Sequence, residues 1–371
     1  MMVEDFDLEA SVRNALREAF EERGNVNILI AGTTGVGKST LINAIFQGQM
    51  AVTGQGRPVT RNTREIKKDG IPLSIFDTRG LEMADFATGM EELRTLVSER
   101  AKDTDHRKHI HVAWVCILED SRRVQPAEVE LVRMLADYMP VVAVITKIRS
   151  EKSDKGFRAE VQSLLPLAKN VVRIRALPEE DDDEKIKPAL GLQDLVDLTM
   201  QLVPEGQKRA FVAAQKIDIE LKKTQSHTIV VGAAASAAGI AAVPVPFSDA
   251  IAIVPIQVGM LAAISATFGL SIDKSFLGTL IGSVLVGTGG TLTGRALVSE
   301  LLKLIPGVGS VVGGTIAAAT AGTLTIAFGE AYIATLEMLF LKNKGEPPTS
   351  NEVTVAFKQK YLQLTSGAGS D

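Results

Sequence analysis

Apolar residues change their spacing twice along the chain, and the changes mark its parts. Leu8, Val12, Leu16 and Phe20 recur every four residues ahead of Gly24, which predicts an amphipathic helix with a glycine stop, packed on the part that follows. From Val26 onward short apolar runs alternate with helical stretches, at residues 26–31, 71–76, 110–118, 141–145 and 171–174. Such runs predict the strands of an α/β sheet. The turn pair Asp69-Gly70 closes segment 63–68 onto 71–76, so that segment is expected as an antiparallel edge strand. Helices are expected after Lys38 and at 90–102, 126–138 and 190–202, and the acidic run 179–184 reads as a solvated loop. From 205 to 223 a charged helix with Ala210, Phe211, Ala214, Ile217 and Leu221 on one side leads into sequence of another kind.

Between Thr228 and Gly329 only Asp249, Asp273, Lys274, Arg295, Glu300 and Lys303 are charged, against 23% of the whole chain. Uncharged stretches run over 228–248, 250–272, 275–294 and 304–329, each near or above the roughly twenty residues that cross a bilayer. Gly, Ala, Ser and Thr dominate them, and Pro244, Pro246, Pro255 and Pro306 interrupt, which weakens insertion. Two readings stay open: association with a membrane, shallow or as hairpins, and a soluble helical bundle. A short surface helix is expected at 353–364. The implied division is a helix over 1–24, an α/β domain over 25–204, an apolar helical domain over 205–345, and a short helix and tail over 346–371.

The 371 residues suit two to three domains. The one cysteine, Cys116, excludes an internal disulfide framework and points to a reducing compartment. A net charge of -4 gives no reason to expect nucleic acid as the main partner. The acidic start Met1-Met2-Val3-Glu4-Asp5 has no apolar run behind it, so a cytoplasmic location is expected.

Chemistry enters at Gly32-Thr33-Thr34-Gly35-Val36-Gly37-Lys38-Ser39, a GxxxxGK[ST] sequence set between a strand and a helix. Glycines let backbone N–H groups curl round a phosphate, the helix N-terminus favours the same anion, and Lys38 adds a full charge. Ser39 is then placed to ligate Mg²⁺. Asp77-Thr78-Arg79-Gly80 ends the second long strand, offering Asp77 to the magnesium shell and the Gly80 N–H to a terminal phosphate. Arg57-Pro58-Val59-Thr60 precedes the edge strand. Its Thr60 is the preferred switch hydroxyl for the metal, with Thr63 the competitor.

In this order, with Thr146-Lys147 after one strand and Ala176 after the next, the motifs resemble the Era/MnmE-type branch of translation-factor-class GTPases over residues 25–204. The apolar half, with Pro244-Val245-Pro246-Phe247 and Leu304-Ile305-Pro306-Gly307, is similar to an uncharacterised, membrane-associated-type helical domain appended to bacterial GTPases of that branch. The resemblance implies a P-loop NTPase of the G-domain class, mainly parallel with one antiparallel edge strand, followed by an all-α Gly/Ala-rich domain. It implies GTP and GDP with Mg²⁺ as cofactors: Gly32 to Ser39 and Thr40 on the phosphates, Thr146, Lys147 and Ala176 at the base, Ser39, Thr60 and Asp77 at the metal. Arg57, Thr60 and Gly80 would serve hydrolysis. The implied function is a GTP-binding switch acting through residues 228–329 on a membrane or protein partner, a homodimer being compatible. The alternative is a nucleotide-stabilised scaffold with incidental turnover.

Three departures bear on this. Arg149 stands where the [NT]-K-x-D motif has its guanine-accepting aspartate, and arginine has no acceptor. Guanine specificity is therefore expected to be weaker than the resemblance implies, unless Glu151 or Asp154 swings in or Lys147 and the Ala176 backbone hold the base. Leu81 replaces the water-orienting glutamine of Ras-like proteins, so hydrolysis is expected to be slow or assisted. Gly35 replaces the asparagine of potassium-stimulated relatives. Arg57 is the first candidate for a built-in catalytic arginine, because Arg-x-x-Thr resembles the corresponding loop of heterotrimeric G-protein α subunits; Arg79 is the second. His106, His109 and His111 lack a completing metal ligand, Trp114 and Cys116 read as core, and Gly287-Thr288-Gly289-Gly290 lacks a following Lys-Ser.

Overall fold

Contacts gather the chain into two units, Gly24–Asp218 on one hand and Met1–Arg23 with Ile219–Asp371 on the other. This is a computed structural model; it describes residues 8–53, 55–60, 63–78, 86–150, 155–180, 186–241, 249–270, 276–277 and 314–367. Helix α1 (Leu8–Arg23) belongs to the second unit.

The first unit runs β1 (Val26–Ala31), α2 (Lys38–Ile45), α3 (Met50–Thr53), β2 (Gln55–Pro58), β3 (Thr63–Lys67), β4 (Leu73–Thr78), α4 (Phe86–Lys102), β5 (Val112–Leu118) and α5 (Pro126–Ala136). It continues with β6 (Val141–Thr146), α6 (Lys155–Leu164), β7 (Asn170–Ile174), β8 (Glu179–Glu180), β9 (Ile186–Lys187), α7 (Leu192–Leu202) and α8 (Glu205–Ala214). Among the described residues seven strands lie in the order β2-β3-β4-β1-β5-β6-β7. Of these, only β3 runs against the others, antiparallel to β2 and to β4. Every residue of β1, β4 and β6 is buried, as expected of strands covered on both faces. One layer of the core holds Trp114, stacked on Phe46 at 5.7 Å, its indole N–H donated to Thr199 Oγ1 at 3.2 Å. The parallel strands end together, so the segments after β1, β4, β5, β6 and β7 share one edge, where ligands of open α/β sheets bind.

Several local expectations shift. The antiparallel hairpin forms, but β2 pairs outside β3 and takes the sheet edge; its four residues, with a glycine and a proline, give no alternating pattern to read. The acidic run opens in the two-residue strand β8, paired to β9. The charged helix expected at 205–223 breaks after Ala214. There Gln215 turns its side-chain oxygen to the Ile217 and Asp218 N–H groups and donates to the Asp218 carbonyl, at 2.7–2.8 Å, while its backbone bridges to Phe46. An amide that satisfies its own turn competes with helix propagation. Residues 205–218 therefore pack with the α/β unit.

The second unit contains α1, α9 (Ile219–Ala241), α10 (Asp249–Phe268), α11 (Gly314–Lys342) and α12 (Ser350–Gly367). Helix α1, expected on the α/β domain, packs its Val12 and Leu16 into the helical core. Helix α12 lies at the surface with one face packed: Val353 and Phe357 are buried while Val355 is exposed, and the Phe357 ring lies 5.3 Å from Phe328 and 5.2 Å from Tyr332. Thr349 and Glu352 start it with a reciprocal capping box. Several polar groups within the apolar core are paired inside it. Ser265 and Tyr332 share a 2.6 Å hydrogen bond, Thr325 and Thr335 bond back to carbonyls one turn earlier, and Lys222 Nζ donates to the Phe268 carbonyl at the end of α10. The expected stretches at 275–294 and 304–313 lie almost wholly outside the described residues, as do Gly287 to Gly290.

Candidate nucleotide site

The loop after β1 is shaped by positions closed to other residues. Gly32 has φ 145°, and a Cβ there would stand 2.6 Å from the Cys116 carbonyl of β5. Gly37, at φ 103°, precedes α2 with no side-chain cap. The first N–H groups of α2 are thus left facing the loop, as an anion requires. Lys38 Nζ donates to the Gly32 carbonyl at 2.7 Å and to the Thr33 carbonyl at 3.1 Å, so the ammonium spans the loop it belongs to. Thr34, Gly35, Ser39 and Thr40 are exposed, Thr33 is half-buried, and Val36 is buried. Beneath the loop Cys116 is fully buried, its thiol pushed up to about 12 by desolvation, and so stays protonated.

Asp77, buried at the end of β4, lies 4.0 Å from Arg64 Nη2. Thr60 stands in the turn before β3, where its hydroxyl accepts the Thr63 N–H at 3.0 Å. Arg57 belongs to β2, opposite Glu65, and not to a loop; its side chain is outside what is described. Arg79, Gly80 and Leu81, with Glu151 and Asp154, lie outside the described residues.

A cavity of about 260 Å³ opens beside the loop, lined by Gly37, Thr146, Lys147 and Ala176 together with Asp120 and Arg149. The structure therefore brings the three expected base residues to one place. Thr146 is buried, and its hydroxyl donates to the Val36 carbonyl at 2.6 Å. That bond ties the base loop to the phosphate loop. Lys147 takes φ 57°, unusual for a side-chain-bearing residue, and its Cε lies 3.8 Å from where a Cβ would stand on Gly37. Glu119, buried at the end of β5, accepts the Arg149 N–H at 3.0 Å and Arg173 Nη2 at 2.7 Å.

Glu119 and Asp120 were not singled out from sequence. The available signal was an acidic pair at the end of a strand neighbouring the one that carries Thr146-Lys147. The histidines serve structure: His111 Nδ1 accepts the Asn27 N–H at 2.9 Å, and burial lowers its pKa, favouring the neutral ring. Among the described residues no group of three or more His, Cys, Asp or Glu is placed to hold a metal.

Thr146→Val should expose the coupling between the loops. It keeps the shape and leaves the buried Val36 carbonyl unpaired, a loss of about 1–3 kcal/mol. Nucleotide affinity is expected to fall roughly tenfold or more, read by titration of a fluorescent analogue; unchanged affinity would show that the bond does not position the site.

A glycine loop, its lysine and a strand-end carboxylate on the edge of a mainly parallel sheet define a P-loop nucleotide-binding domain. Residues 27–147 match the family described as 50S ribosome-binding GTPase, and residues 206–360 match a Domain of unknown function (DUF697). The α/β unit thus matches a GTPase family from β1 to β6, and that family implies guanine nucleotide as the ligand class. The chain is 29% identical over 170 residues to the tRNA modification GTPase MnmE of Desulfotalea psychrophila, covering 45% of this chain and 34% of that protein. It is 30% identical over 142 residues to the MnmE of Erwinia tasmaniensis, covering 37% and 30%. The chain thus spans about a third of the length of these relatives. Among solved structures, a probable GTP-binding protein engB is 21% identical, covering 41% of this chain and 89% of that one, with a TM-score of 0.31.

Proposed function

We propose that the chain is a GTP-binding switch with slow, Mg²⁺-dependent hydrolysis, and that its nucleotide state governs how the helical unit meets a membrane or a protein partner. The carrying observation is Lys38, held across a glycine loop at the same sheet edge as Asp77. The donors suit the ion: Ser39 supplies a hydroxyl and Asp77 a carboxylate, hard oxygen ligands of the kind Mg²⁺ takes alongside nucleotide phosphates. Bound there, the ion would neutralise phosphate charge. Thr60 would join only after releasing the Thr63 N–H, which makes its turn the switch. Gly80 would follow the terminal phosphate through its N–H. With Leu81 in place of a water-orienting glutamine, turnover is slow, and Arg57 is the group proposed to assist in cis.

For the helical side the support is compositional. Among the described residues one helix, residues 321–342, is long and apolar enough to cross a membrane, and 59% of that window is buried inside the unit. Shallow or reversible attachment at a cytoplasmic face suits that balance better than firm spans.

Single-turnover hydrolysis by the full chain, with liposome sedimentation in the presence of GTP, a slowly hydrolysed analogue or GDP, tests both halves. Turnover should need Mg²⁺, Arg57→Ala should slow it without weakening GTP binding, and sedimentation should differ between nucleotides. Turnover with identical behaviour of the helical unit in every state, toward liposomes and toward self-association, would replace the switch by the scaffold reading.

A further inference from the structure

We propose that Asp120 is the guanine-reading carboxylate of this chain, taking over from the aspartate that Arg149 replaces, and that Arg149 orients it. The inference rests on the nucleotide reading above and adds the group that selects the base.

Guanine presents two adjacent donors on one edge, N1–H and the N2 amine, where adenine presents an acceptor and a C–H. A pocket that prefers guanine must therefore offer an acceptor to that edge, and Arg149 has only donors. Among the described residues, the carboxylates lining the cavity are Asp120 and Glu179. Glu179 sits in the exposed hairpin of β8 and β9. Asp120 is better fixed. Its neighbour Glu119 clamps the Arg149 backbone to the end of β5, its buried carboxylate accepting the Arg149 N–H at 3.0 Å. The clamp holds the Arg149 main chain beside the residue that precedes Asp120, so the approach of 120 and 149 does not rest on their two side chains alone.

Arg149 Nη2 then donates to Asp120 Oδ2 at 3.0 Å. Asp120 Oδ1 takes no hydrogen bond among the described residues, and the side chain is 48% exposed, that of Arg149 70%. An ion pair this exposed contributes little to folding. It does hold a carboxylate at the cavity wall with one oxygen open, and it offsets a cation that would otherwise face the donor edge of guanine. The arrangement exchanges the position of the acceptor while keeping its chemistry.

Competition binding of GTP, ATP and XTP to the full chain tests this. Wild type should prefer GTP. Asp120→Asn, which is nearly isosteric and exposed, should lose roughly 10–100-fold in GTP affinity, the range of a charged hydrogen-bond partner, with ATP unchanged. XTP should gain, because xanthine carries a carbonyl where guanine carries its amine and an amide can donate to it. Adding Arg149→Asp to Asp120→Asn should restore GTP binding through the Thr-Lys-x-Asp pattern, and Arg149→Ala alone should lower GTP affinity less than Asp120→Asn. GTP and XTP affinities unchanged in Asp120→Asn would overturn the proposal, as would a wild-type preference for ATP. Loss of all nucleotide binding by wild type, or wild-type binding that survives Lys38→Ala, would instead overturn the nucleotide reading itself.

Discussion

Lys38→Ala is expected to abolish triphosphate binding in a chain that still folds. The ammonium holds the Gly32 and Thr33 carbonyls at 2.7 and 3.1 Å. Both partners belong to the phosphate loop, Gly32 buried and Thr33 half-buried, and α2 is anchored from its other side by Leu41, Ile42 and Ile45. Losing the side chain therefore removes no core contact. A triphosphate would replace the carbonyls as partner of the charge, and each charge-assisted hydrogen bond there is worth about 1.5–3 kcal/mol. Two such bonds correspond to roughly 10²–10⁴ in affinity, enough to push binding out of a micromolar titration. The half-buried Thr33 carbonyl can turn to water in the mutant while buried Gly32 loses a partner, so stability should fall by no more than about 1–3 kcal/mol. Calorimetric titration with GTP and far-UV circular dichroism check the two halves. A folded mutant with wild-type affinity would remove the site assignment.

The loop of the candidate phosphate end was legible in the sequence because its parts are contiguous. Gly32 must take a backbone no other residue takes easily and approach the Cys116 carbonyl, Gly37 must open α2, and Lys38 follows within one turn. Spacing alone carries that information. The base end is assembled from the ends of three strands, with Asp120 after β5, Arg149 after β6 and Ala176 after β7. Nothing along the chain says that residues 29 positions apart meet at 3.0 Å, so the sequence alone presents Arg149 as a loss, where we propose a relocation. Helix α6 has Phe157 and Val161 buried at four-residue spacing, but it is ten residues long and its charged approach conceals its start. In the helical unit the difficulty is of another kind. Where Gly, Ala and apolar residues cover a helix on every side, no stripe marks the packed face. The pattern could predict helices there but not their neighbours, and α1 was assigned to the wrong one.

Which faces of those helices meet can be tested at Gly329, where Gly329→Leu is expected to cost the helical unit about 3 kcal/mol or more. Glycine inside a helix is ordinarily a weakness, and replacing it by a better helix former gains up to about 1 kcal/mol. Here the space decides the sign. A Cβ at Gly329 would stand 2.5 Å from Val230 Cγ2 and 3.0 Å from Met260 Sδ. Val230 is fully buried on α9 and, being β-branched, has one strongly preferred rotamer in a helix, so it cannot turn aside. Seven residues earlier, Gly322 faces α9 again, with its Cβ direction 3.5 Å from the Ala234 carbonyl. Two small residues two turns apart let α9 and α11 approach as a close pair, and overpacking such a contact costs more than the propensity returns. Val230→Ala alone should destabilise by roughly 0.5–2 kcal/mol through the cavity it leaves. Combined with Gly329→Leu it should recover part of the loss, since the new side chain can enter the vacated space. Denaturant unfolding of the four chains gives the coupling energy, expected at about 1 kcal/mol or more for residues in contact. Strict additivity, or a neutral Gly329→Leu, would mean that α9 and α11 do not pack at this point. A strong coupling measured without detergent or lipid would mean that the close helix pair forms in water, so that any membrane contact uses the outer faces, where Val231 and Leu341 are 65% and 61% exposed.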